Sequence, residues 1–194
     1  MTSTDLRGDC ARCAALCCVA LAFDRSPVFA FDKAAGEPCA NLGRKGRCAI
    51  HAERAVKGFA GCEAYDCLGA GQAVTQGLFA GASWQDDPAL LEPMMRAFAV
   101  MRPAHEALDL LRRVARLPLP ETALPRLAEA QRALEPEAGW TRRDVAEGRI
   151  ERATEAARAF LRSLGPLLGQ TISERTLARS TSIGARPLSV LKCQ

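Results

Sequence analysis

Tyrosine occurs once in this chain, at Tyr65, and lysine only four times. Aromatic residues make up 5% of the sequence, which leaves little to stack on unpaired bases. There is no basic block either. The 26 Lys and Arg residues are interspersed with 22 acids for a net charge of +4, so the concentrated positive footprint of a nucleic-acid binder is missing and no specific nucleic acid is expected as a partner. No apolar run approaches the roughly 20 residues a membrane span needs, so no membrane association is expected. Ala14 to Phe23 is apolar throughout, but Asp5 and Asp9 stand where a secretion signal carries positive charge, and Asp24-Arg25 follow it without a small-x-small cleavage pattern. A cytoplasmic setting is expected, one in which thiols stay reduced. No internal repeat is found.

What the sequence does have is cysteine, unevenly placed. Of nine in 194 residues, Cys10, Cys13, Cys17, Cys18, Cys39, Cys48, Cys62 and Cys67 fall in the first third, and Cys193 alone lies beyond. Glycine is concentrated in the same part, from Gly36 to Gly81. The composition changes near Gly81 to Asp87 to an Ala/Leu/Arg-rich pattern with helical spacing. The expected fold is mainly α: a small Cys/Gly-rich loop-and-helix metal module over 1–85, packed on a bundle of about three helices over 86–170, with a loosely ordered tail over 171–194.

The helical part carries its own punctuation. Asp87 is a helix cap with Pro88 at the first helical position. Leu91, Met94, Met95, Phe98, Met101, His105, Leu108 and Leu111 then keep three-four spacing to about Arg116. Pro103 lies inside this pattern and is expected to kink it. His105 on the apolar face reads as a hydrogen-bonded core histidine. A second helix places Leu124, Leu127, Gln131 and Leu134 on one face and ends at Pro136. For the third, Thr141 and Asp144 form the start, with Trp140 and Val145 flanking them as a hydrophobic staple. That helix is expected to run through Ile150, Ala153, Ala157, Phe160 and Leu164 to a stop at Gly165-Pro166.

The stretch CARCAALCC is the chemical core of the sequence. Ala11 to Phe23 is alanine-rich without Gly or Pro, which predicts a helix. On such a helix Cys10, Cys13 and Cys17 share one face, while Cys18, turned by about 100°, faces the core or a second site. Cys48 and His51 follow in a Gly-flanked loop, Cys39 in a turn after Pro38, and Cys62 and Cys67 in GCEAYDC before the GAG of Gly69 to Gly71. Buried packing, disulfides, a CxxC redox pair and a metal site compete to explain this set. Packing does not account for eight cysteines in 67 residues, though it can for Cys18 or Cys193. Disulfides need an oxidising compartment, and the CxxC lacks a surrounding βαβ pattern. A metal accounts for the number, the spacing and the histidine together, with Cys10, Cys13, Cys17, Cys18, Cys39, Cys48, His51, Cys62 and Cys67 as candidate ligands. Zinc suits a Cys/His set, and an iron–sulfur cluster suits four thiolates; the choice stays open, as does one metal against two.

The order CxxC…CC, PCxNL, CxIH and a closing Cys/aromatic/Cys resembles the zinc- or iron-chelating domain family with the CxxCxxCC pattern (YkgJ-like). Cys10, Cys13, Cys17 and Cys18 match its first element, Pro38-Cys39 and Leu42 the second, Cys48 and Ile50 the third, and Cys62 and Cys67 the last. Here three residues rather than two separate Cys13 from Cys17, and His51 stands where tyrosine is usual. Residues 10–80 are also similar in wording to the cysteine-rich N-terminal region of actinobacterial pentapeptide-repeat proteins, although the repeats themselves are absent.

The resemblance implies a metal-binding module without naming a reaction. The expected function is that of an auxiliary or structural metalloprotein with a protein partner. One alternative is an iron-dependent or redox enzyme with Glu63, Tyr65 and His51 near the metal. Another is an interaction adaptor of the pentapeptide-repeat family that lacks the repeats.

Overall fold

The computed structural model describes residues 4–43 and 46–182, with side chains through 165. The fold is mainly helical, as the composition predicts. Among the described residues, seven α-helices are joined by loops and short turns, and the only β pairings are isolated bridges, Phe23 with Lys33, Ser26 with Phe29 and Leu42 with Cys48.

The largest element is α4 (Leu91–Val114), which begins where the sequence says it should. Asp87 accepts a hydrogen bond from the Ala89 amide and Pro88 opens a 3-10 turn that leads into the helix. Met94, Phe98, Met101, His105, Leu108 and Leu111 are buried at the expected spacing. Pro103 sits inside the uninterrupted helix, where its ring forfeits one rung of the hydrogen-bond ladder while its neighbours Met101, Ala104 and His105 pack into the core. Helix α5 (Leu124–Leu134) buries Leu127 and Leu134, but Leu124, expected on the same face, is about half exposed at its first turn.

The third helical segment departs from expectation at both ends. The Thr141/Asp144 capping box forms as predicted, yet α6 (Arg142–Ala146) stops after five residues. Gly148 takes a left-handed φ of 66° there, and Arg149 opens α7 (Arg149–Ser182) while pairing with Asp144 at 3.0 Å and with Glu147. At the other end, Gly165-Pro166 does not end the helix. One missing N–H removes a single bond, and an established helix propagates past it more easily than a new one starts. The helix therefore replaces the loosely ordered tail expected from Thr171 as far as Ser182, and 183–194, with Cys193, lie outside the described residues.

Helices α4, α5 and α7 pack on one another, and the cysteine-rich part packs on α4. A turn over Ser83 to Asp87 coincides with the expected boundary at 85/86. The core nevertheless runs across it: Leu16, Ala70, Val74 and Leu78 belong to the same buried cluster as Phe98, Leu111, Ile150 and Phe160. The cysteine-rich part has a second apolar centre of its own. Phe23 stacks on Phe29 at 4.4 Å, and Phe59 meets Phe31 edge-on at 4.8 Å. A side chain at Gly61 would collide with the Phe29 ring, which is why glycine stands there.

His105 ties the two parts together. It is buried, and its Nδ1–H donates to the Leu68 carbonyl at 2.6 Å. That bond helps hold Leu68 at a left-handed φ of 50°, directly after Cys67. Burial pushes the His105 pKa below its ordinary value, with Arg112 adding in the same direction against the Leu68 bond. The folded state therefore favours the neutral ring. Its contribution is complete above the unfolded histidine value of about 6.5 and is lost as pH falls from there toward the folded value. His105→Gln should flatten the stability–pH curve between pH 7.5 and 5.5 relative to wild type. Denaturation midpoints at those two pH values measure the difference, and parallel curves would contradict the assignment.

Candidate metal centre

The helix expected from Ala11 to Phe23 does not form. A 3-10 turn covers Cys10–Arg12, Cys13 is extended, Ala15 is left-handed with φ 56°, and only Leu16–Ala20 is helical (α1). The cause is tertiary. The Ala14 amide donates to Thr75 Oγ1 at 3.0 Å, and Trp84 Nε1 donates to the Ala14 carbonyl at 2.7 Å. Both backbone groups that a helix would use are taken by distant side chains, and this outweighs alanine propensity. Cys10, Cys13 and Cys17 consequently share no helix face.

A second helix holds this segment from outside. It consists of α3 (Ala70–Gln72) continued as a π-helix over Ala73–Leu78. Gln72 Oε1 accepts from the Asp9 amide and its Nε2 donates to the Arg7 carbonyl, while Gln76 Nε2 donates to the Arg12 carbonyl. Gln72, Thr75 and Gln76 thus clamp the chain around Cys10 and Cys13. Their three-four spacing was visible in the sequence, but nothing local marked their partner.

The remaining cysteines arrive on loops. The Cys39 amide donates to the Cys18 carbonyl at 2.9 Å, and Leu42 bridges to Cys48. Cys62 lies on α2 (Ala60–Ala64), where Arg54 donates to its carbonyl at 3.4 Å. Cys67 Sγ and Cys13 Sγ both lie within 4 Å of the point a Cβ on Gly71 would occupy. His51 is exposed on a 3-10 turn, its amide donating to the Cys48 carbonyl at 3.3 Å. Glu63 is exposed.

All eight described cysteines are free thiols, Cys10 exposed and the others part-buried. Among the described residues, no three His, Cys, Asp or Glu side chains already surround one point closely enough to hold an ion. Desolvation pushes the Cys13 thiol up to about 11 and raises Cys10, Cys39 and Cys62 as well. Cys17 and Cys18 behave oppositely. Their sulfurs are 4.0 Å apart, and either could donate to the other; that contact and then burial push Cys17 up, while the same contact, with Lys33 and Arg54, holds Cys18 low.

Lys33 is a residue that sequence reasoning missed. It is only 6% exposed, and its Nζ donates to the carbonyls of Val19, Leu21 and Ala34. Burial lowers its pKa, and the thiols of Cys39 and Cys18 are the groups that most favour its charge. The buried side-chain nitrogens and oxygens without a partner among the described residues are Asn41 Nδ2, Arg54 Nε and Tyr65 OH. Each belongs to a residue near cysteine: the backbone N–H of Asn41, not its orphaned Nδ2, bonds the Cys39 sulfur, Arg54 influences Cys10, Cys18 and Cys62, and Tyr65 feels Cys17 and Cys67. Three orphaned donors in one region call for acceptors, and thiolates or sulfides are the acceptors this donor set would supply.

No family model matches the chain, and no solved structure matches it. It is 46% identical over 104 residues to the uncharacterized protein YybG of Bacillus subtilis (strain 168). The matched stretch is 54% of this chain and 37% of that relative, so the chain spans well under half the relative's length. No helix among the described residues is long and apolar enough to cross a membrane.

Proposed function

We propose that this chain is a metal-binding, cysteine-rich protein with an auxiliary or structural role, taking zinc or iron, the latter alone or as an iron–sulfur cluster. The observation that supports it best is the coincidence of eight free thiols with unpartnered buried donors and the carbonyl-bound Lys33. Thiolates on a metal would give those donors acceptors and that lysine a counter-charge. The ligands would be drawn from Cys10, Cys13, Cys17, Cys18, Cys39, Cys48, Cys62 and Cys67, with His51 at the rim. Because most of these thiols hold their protons at neutral pH, metal uptake would release protons, and the cage would close around the ion instead of waiting preformed. The resemblance to the chelating-domain and pentapeptide-repeat families, a cytoplasmic setting and a protein partner belong to the same reading.

Elemental analysis of protein purified without oxygen tests it. Stoichiometric zinc or iron is the expected result, with absorption near 400 nm if iron–sulfur is present. Less than a tenth of an equivalent of any transition metal would rule the reading out. The second reading, a redox or iron-dependent enzyme, is favoured by one feature, the Cys17–Cys18 pair in which a low thiol sits beside two cations.

A further inference from the structure

We infer that the eight cysteines form two separate four-thiolate sites that part between the adjacent residues Cys17 and Cys18: Cys10, Cys13, Cys17 and Cys67 in one, and Cys18, Cys39, Cys48 and Cys62 in the other. The inference rests on the metal-binding reading above and goes beyond it in assigning ligands and number.

The first group is gathered against α3. Gly71 leaves a space that the sulfurs of Cys13 and Cys67 both border, at 2.6 and 3.9 Å from where its Cβ would be, and a Cβ on Gly8 would also lie 3.8 Å from Cys67 Sγ. Gln72 and Gln76 bring the turn carrying Cys10 to the same helix. Cys17 reaches it from α1, with Cys13 and Cys10 as its neighbours besides Cys18. The second group is gathered by backbone pairing. Cys39 hydrogen-bonds to Cys18, the Ala49 amide donates to the Asn41 carbonyl at 2.8 Å, and Leu42 bridges to Cys48. Cys62 closes the set, with Cys18, Cys39 and Cys48 as its charge neighbours.

The Cys17 and Cys18 sulfurs are 4.0 Å apart, so the two sites would adjoin there, while the turn of about 100° between successive helix residues gives each sulfur different further companions. A tetrahedral site takes four sulfur or nitrogen ligands, and eight thiols divide into two such sets without remainder. His51 is left out of both. Lys33, bonded to the carbonyls of Val19 and Leu21 at the end of α1, lies on the side of the second site, whereas Arg54 stands near cysteines of both groups.

Cobalt(II) titration of the reduced, metal-stripped full chain tests the division, since tetrahedral cobalt–thiolate bands report site type as well as number. Wild type should saturate at two equivalents. Cys13→Ser and Cys39→Ser should each saturate at one, keeping the four-sulfur band of the intact site, and the double variant should bind none tightly. Cys67→Ser and Cys62→Ser repeat the comparison should either first variant misfold by circular dichroism. Saturation of wild type at one equivalent, or loss of all cobalt in all four single variants, would overturn the division and leave the metal-binding reading standing. Wild type that binds none of cobalt, zinc and iron would sink both.

Discussion

Leu16→Ala should lower stability by about 3 kcal/mol, within the range for emptying a buried leucine site, and should move the unfolding of both halves of the chain together. Leu16 is fully buried between Cys13 and Cys17 on the helix that packs against α4. Alanine would leave a cavity in a cluster that continues to Phe98, Leu111 and Ile150. The two tryptophans report the two halves: Trp84 is bonded to the Ala14 carbonyl beside the cysteines, and Trp140 to the Leu134 carbonyl in the bundle. Single-tryptophan variants followed in denaturant should show one shared midpoint, shifted equally by the change. A shift seen by Trp84 while Trp140 keeps the wild-type midpoint would mean that the bundle stands without the cysteine-rich part.

Gly71→Ala is the second large effect. The added methyl would lie 2.6 Å from Cys13 Sγ and 3.9 Å from Cys67 Sγ. Cys13 has little freedom to retreat, because the Ala14 amide and carbonyl beside it are both engaged by distant side chains. Overpacking of this kind costs roughly 1–3 kcal/mol, more than the helix propensity gained. Metal content should fall by about half if Cys13 and Cys67 share one of two sites. Gly77→Ala is the matched control: nothing lies within 4 Å of its Cβ position, so it should be neutral or slightly stabilising. Thermal denaturation and metal analysis of the pair check this. Wild-type stability and metal content in Gly71→Ala would show that the sulfurs are free to move aside.

The sequence by itself determined the helical class and the helix starts at Asp87 and Thr141, because those signals are local. A cap is a side chain within three residues of the amide it serves, as Asp87 and Thr141 are, and the buried stripe of α4 follows from 3.6-residue periodicity alone. His105 as a bonded core residue followed from its place on that stripe. The cysteines themselves were equally plain as candidate donors, since thiol count and clustering need no coordinates. Their arrangement was decided only by tertiary structure. The break between Cys13 and Leu16 is made by Thr75 and Trp84, some sixty and seventy residues away, and no window of sequence holds both sides of those bonds. The same is true of Lys33 reaching the end of α1, Arg54 reaching Cys62, and Gly71 making room for two sulfurs. Propensity sets what a segment does when its backbone groups are free. Here the fold had already engaged them, and that is why the alanine-rich cysteine stretch turns where composition alone would have it run on as helix.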